Sequence, residues 1–183
     1  MGSGKSLKSD PIQEHVEKIK TTYHKHAFAL LPVLENDLKE LGDKHSFHVP
    51  KAFLLQKLFS RFARDFIAHM HNEEDHLFPE IIAFVRNRLE QKSYVFAKDA
   101  AKKIDLLGLE DRVVVNELDR IIELLAEVAQ ATQDQRFNQI MAQIEAFRAE
   151  SLKHTQAEAD FIFKEVKDAF PSKKHSPSFG SYD

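Results

Sequence analysis

Residues 50–80 read PKAFLLQKLFSRFARDFIAHMHNEEDHLFPE. The first part is an apolar helix pattern. Leu55, Phe59, Phe62 and Phe66 recur at helical spacing, which puts them on one face. The last part, from His69, packs three histidines and four carboxylates into HMHNEEDHLFPE. With His69 at 0° and about 100° per residue, the apolar arc lies between about 20° and 80°. Glu73 falls near 40° and Glu80 near 20°, inside that arc, with His69 and His76 at its edge. His71, Glu74 and Asp75 fall between about 140° and 240°, on the solvated face. A buried carboxylate or imidazole costs several kcal/mol unless it is paired or bound to a metal. The inward pair His69–Glu73 therefore needs a partner.

An isolated His-x-x-x-Glu on a helix is most often a satisfied polar pair one turn apart. A second copy changes that reading. The segment KHTQAEADFIF carries His154 and Glu158 at the same spacing, with Ile144, Phe147, Phe161 and Val166 keeping the same broad side inward. Two such pairs on different helices supply two nitrogens and two bridging carboxylates to one site. Glu-x-x-His motifs do related work in di-iron carboxylate bundles.

The rest of the chain supports an all-helical frame. It has 183 residues, only five glycines and six prolines, fifteen phenylalanines, ten histidines and no cysteine. Disulfides and thiolate-held metals are excluded. A formal charge of −3 gives no strong attraction to nucleic acid or an anionic membrane. No apolar run is long enough to span a bilayer and the start MGSGKSLKSD is not a signal peptide, so a cytoplasmic protein is expected. Residues 1–10 read as a flexible leader and 171–183 as a Ser- and Pro-rich disordered tail. Between them, 11–170 reads as four helices. The first runs from Pro11 to Leu41, with Gly42 as its C′ residue. The second runs from Pro50 to Leu89, kinked or locally broken at Pro79. The third follows a joint at 91–94 and runs to Ala131, with Gly108 as a weak point. The fourth follows a turn at 131–135 and ends at Phe170. Short loops between long helices predict an antiparallel up-down-up-down four-helix bundle.

Ligands must meet at one level of such a bundle. In an antiparallel hairpin, residues at one level are equidistant from the turn. The midpoint of His24 and His69 falls between Ser46 and Phe47, inside the first loop, so these two histidines stand opposite each other. His45 lies roughly 30 Å along the helix from His24 at about 1.5 Å per residue and is excluded. His26 is rotated by about 200° from His24, so only one of them faces inward. For His154, the turn near 132–133 points back to residues 110–112. No histidine lies there, but Glu110 and Asp111 do, one on either side of the stripe Leu107, Val114, Leu118, Ile121 and Leu125. Either acid can reach inward, and Glu has the longer reach. The competing reading is that they bind a Lys or Arg, or cap a break after Gly108.

The segments YHKHAFALLP, HMHNEEDHLFP and HTQAE resemble the hemerythrin-like, HHE cation-binding family over roughly residues 12–170. Within it, the likeness is to bacterial di-iron proteins of iron–sulfur-cluster repair. The resemblance implies a bundle holding two non-haem irons, bridged by carboxylates, with manganese or zinc as substitutes. Position by position it assigns His24 on helix one, His69 and Glu73 before the Leu-Phe-Pro at 77–79, and His154 and Glu158 on helix four. The family's usual Glu-His-Asp on helix three is LEDR here, which puts Glu110 in the histidine's place. A carboxylate for an imidazole adds negative charge and favours harder or more oxidised metal states. Helix four lacks a second Leu-Phe-Pro, and the cysteine-bearing N-terminal module of some repair proteins is absent.

The metal-ligand set is thus His24, His69, Glu73, Glu110, His154 and Glu158. Its expected partners are a small diatomic, dioxygen or nitric oxide, or iron–sulfur proteins handled under stress. A dioxygen-binding or iron-sensing module needs the same ligands. A metal-free structural bundle would instead pair the three histidines with acids. No serine-nucleophile motif, phosphate loop or nucleotide fingerprint is present.

Overall fold

The computed structural model describes residues 11–87 and 94–163, with side chains described over 11–86 and 113–160. Among the described residues there is no strand, and no helix is long and apolar enough to cross a membrane. Residues 1–10 and 164–183, expected to be a leader, the end of helix four and a tail, lie outside the described residues.

Four helices form the frame. Helix α1 runs over Pro11–Ile19, a π-helical turn Lys20–His24, and Lys25–His45. Helix α2 runs over Pro50–Asn72, a π-helical turn Glu73–Leu77, and Phe78–Asn87. Helix α3 is Tyr94–Thr132, and α4 is Gln135–Ala157 followed by a π-helical stretch Glu158–Phe163. Helix α1 packs on α2, α2 on α3, α3 on α4, and α4 closes against α1. The expected four-helix bundle is therefore present.

Local chemistry explains the ends. Pro50 opens α2 at its first turn, where the missing N–H would have no partner anyway. Gln133 takes a left-handed backbone at φ 54°, and Asp134 caps α4 by accepting from Arg136 N–H at 3.1 Å. One expectation about glycine fails. Helix α1 does not end at Leu41 but continues to His45, and among the described residues no glycine has positive φ. Gly42 is buried inside the helix because α2 comes close: a Cβ there would stand 2.8 Å from Gln56 Oε1 and 3.3 Å from the Ala52 carbonyl. Gly108 lies inside α3, as its sequence position implies, and the helix is continuous through it.

The core forms two apolar layers. The larger is built from Leu31, Leu34, Leu55, Phe59, Leu118, Ile144 and neighbours from all four helices. The smaller lies toward the α1 start, with Ile12, Val16, Ile19, Leu77, Phe78, Ile81 and Phe84. The π turns of α1 and α2 fall where one layer gives way to the other. In each, an N–H reaches five residues back, Lys25 to Lys20 and Phe78 to Glu73. A π turn inserts about one residue and sets the downstream phase back by roughly 100°. This explains why His76 is exposed and Glu80 only half-buried while Leu77 and Phe78 turn inward. At Pro79 the local irregularity is thus the π turn just before it.

Candidate metal centre

Between the two apolar layers sit four buried polar side chains, His24, Glu73, His154 and Glu158, exposed by 0%, 0%, 3% and 1%. One ligating atom from each lies within 4.8 Å of all the others. Each comes from a π turn or the residues beside one: His24 ends the first, Glu73 opens the second, Glu158 opens the third, and His154 stands one turn before it. π turns commonly mark functional sites, because the widened turn lets a helix aim a side chain it could not otherwise aim.

His24 Nε2 lies 3.0 Å from His154 Nε2 and 3.5 Å from Glu73 Oε2. Within the two i, i+4 pairs, His69 Nε2 stands 3.1 Å from Glu73 Oε1, and His154 Nε2 stands 3.2 Å from Glu158 Oε1. Glu73 thus lies between two imidazoles, each facing a different oxygen. Phe78 and Phe28 flank the His24 ring, Tyr23 lies beside His154, and Phe66 lies beside His69. These aromatics keep the layer dry.

The electrostatics follow from burial. Desolvation pushes the Glu73 carboxyl up to about 7, the nearby Glu158 charge adds to the rise, and His69 opposes it. Desolvation, then the neighbouring His154 and His69 rings, push His24 down to about 3. His24 is therefore neutral near pH 7, the form that can give a lone pair to a cation. Among the described residues no well-aligned hydrogen bond satisfies either oxygen of Glu73, although both are buried and His69 Nε2 stands 3.1 Å from Oε1. A buried acid in that condition is costly. A cation between the facing nitrogens and oxygens would relieve it.

The donor set fits a metal. Two nitrogens at right angles on one ion, with bonds of about 2.1 Å, stand about 3.0 Å apart, the separation seen between His24 and His154. Mixed imidazole and carboxylate donors suit iron, manganese or zinc.

Five of the six residues expected from sequence come together here: His24, Glu73, His154 and Glu158 in the tight group, and His69 against the outer oxygen of Glu73. The side chain of the sixth, Glu110, lies outside the described residues, as does that of Asp111. The excluded histidines are elsewhere. His45 bonds Asp134 at the far end of the bundle, and His26 bonds Glu150 on the surface. The expectation for Glu74 is overturned. It is not ordinary surface: its Oε1 accepts from His24 Nδ1 at 2.8 Å. Helical phase relative to the core of α2 points it outward. The neighbour that matters is α1, beside α2, and the repeated acid in Glu73–Glu74 was the available signal.

No curated protein and no solved structure matches the chain. A family model described as the hemerythrin HHE cation binding domain matches residues 16–107. The match takes in His24, His69 and Glu73, stops just before Glu110, and leaves out the His154–Glu158 pair that completes the buried group. On that match, which covers half of its length, the chain belongs to the hemerythrin family of HHE cation-binding domains.

Proposed function

We propose that this protein binds two adjacent non-haem irons, bridged by carboxylates, and uses them to handle iron, dioxygen or nitric oxide, with iron–sulfur-cluster repair under stress as the physiological setting. The observation that carries the reading is Glu73. Its two oxygens face different imidazoles, His24 on one side and His69 on the other, the disposition of a carboxylate shared by two ions. In this reading His24, His154, Glu73 and Glu158 would hold one iron. His69 and Glu110, sharing those two carboxylates, would hold the other.

Bound iron would supply a redox-active Lewis acid with room for a diatomic ligand. The chain's own residues do the rest. Glu73 and Glu158 balance the cationic charge in a layer where desolvation strengthens it. The aromatic wall limits water to what the centre needs. A cleft of about 480 Å³ between α2 and α3 reaches His69 past Phe62, Phe66, Val113 and Val114, a largely apolar approach that suits a small uncharged ligand.

The test is anaerobic loading with ferrous iron, then exposure to dioxygen or nitric oxide while near-ultraviolet and visible absorption is followed. Bands that grow with iron and change with the gas support the reading. A protein that takes up iron without any spectral response to either gas contradicts the proposed ligand. Loss of the protein should also sensitise cells to nitrosative or oxidative stress.

A further inference from the structure

His24 is the most buried histidine of the centre, yet one of its nitrogens points out of it. Nδ1 lies 2.8 Å from Glu74 Oε1, and the other oxygen of Glu74 stands 3.8 Å from Lys20 Nζ. The Glu74 side chain is only 20% exposed. It bridges the buried ring to a surface pocket of about 350 Å³ that Lys20 and Phe78 also line. No other carboxylate among the described contacts of His24 reaches Nδ1.

A carboxylate accepts hydrogen bonds and donates none. The proton of the ring must then sit on Nδ1, which leaves the Nε2 lone pair aimed at His154, Glu73 and the middle of the layer. In the other tautomer, Nε2 would carry the proton into the site and Nδ1 would set a lone pair against a carboxylate. We infer that Glu74 is a positioning residue, which selects the Nδ1–H tautomer of His24 and locks the ring so that Nε2 faces the centre. Lys20 holds Glu74 in turn from the same helix as His24. A ring constrained this way binds a metal without first reorganising, and outer contacts of this kind are commonly worth 10–100-fold in metal affinity. The effect on affinity rests on His24 being a ligand, as proposed above; the effect on the tautomer does not.

The test uses the whole chain and two variants, Glu74→Ala and Glu74→Gln. Glutamine keeps an acceptor oxygen in place, whereas alanine removes it. Long-range proton–nitrogen correlation spectra of the metal-free, histidine-labelled protein near neutral pH read the His24 tautomer directly. The wild type and Glu74→Gln should show Nδ1–H, and Glu74→Ala should lose that preference. In parallel, zinc competition against a chromophoric chelator should show affinity lowered by about 10–100-fold in Glu74→Ala, with most of it recovered in Glu74→Gln. A purely structural Glu74 would lower the melting temperature and leave the tautomer unchanged, and that result overturns the inference. So does an equal loss of affinity in both variants with the tautomer intact. A wild type that takes up no zinc or iron defeats the metal reading instead, and the tautomer spectra still decide the role of Glu74.

Discussion

The bundle brings histidine and carboxylate together at two levels, between α1 and α4 at the far end and between α1 and α2 at the π turns, and the two encounters have opposite electrostatics. At the far end, His45 Nε2 donates to Asp134 at 3.0 Å, Lys44 stands 2.9 Å from the same carboxylate, and Arg136 grips it from its own helix. Those cations hold the Asp134 carboxyl well below the usual range. At the π turns, Glu73 has imidazoles and the carboxylate of Glu158 near it, with no Lys or Arg among its described contacts, and burial pushes its carboxyl up. The same residue types thus make a finished helix cap in one place and an unfinished charge balance in the other. Cations built into the sequence complete the first. The second has a buried donor set that could hold a cation.

Changes at the two levels should therefore diverge. The largest effect is expected from Glu73→Ala, which removes the carboxylate between His24 and His69. Metal affinity should fall by more than about 100-fold, beyond the usual reach of outer contacts, as read by chelator competition. Glu110→Ala should be milder, releasing one of two irons in elemental analysis while leaving the other. If Asp111→Ala has that effect and Glu110→Ala does not, the helix-three ligand is Asp111.

The pH dependence of loading should follow Glu73. Its carboxyl must lose a proton to ligate, so apparent affinity should drop about tenfold per unit as pH falls below about 7. His24, held neutral down to about 3, does not compete in that range. In the metal-free protein the sign reverses for stability. A carboxyl raised from 4.5 to about 7 makes folding less favourable as pH rises between those values. Glu73→Met should therefore raise the stability of the metal-free protein above pH 7 by about 1–4 kcal/mol, seen in chemical denaturation, though it abolishes binding.

The smallest effect belongs to the finished end. Asp134→Ala should lower stability by about 1 kcal/mol through the lost cap and leave metal uptake alone. Because the Asp134 carboxyl is depressed when folded, its contribution should be present above about pH 4 and lost as pH falls below that. Thermal melts of the wild type and the variant should converge in acid.

Much of this was legible in the sequence, because burial repeats where helical spacing repeats. The stripe Leu55, Phe59, Phe62, Phe66 led directly to Glu73, and equal distance from a turn matched His24 to the level of His69. The failures share one cause. A uniform 100° step and a solitary helix cannot register a π turn or the approach of a neighbour. Hence phase leaves Glu80 open where the structure half-buries it, Gly42 reads as a helix end where it makes room for Gln56, and Glu74 reads as solvent-facing although α1 supplies its partner. Reading helix three left Glu110 and Asp111 undecided because both flank its apolar stripe, so phase alone does not choose between them.

The central claim is that the buried layer at the π turns is a metal centre and the His45–Asp134 cluster is not. Elemental analysis after anaerobic ferrous loading and desalting tests it most directly, on the wild type, Glu73→Ala and Asp134→Ala together. Two irons per chain in the wild type and in Asp134→Ala, with almost none in Glu73→Ala, is the expected result. A wild type that retains no iron, or a Glu73→Ala variant that retains as much as the wild type, would contradict it.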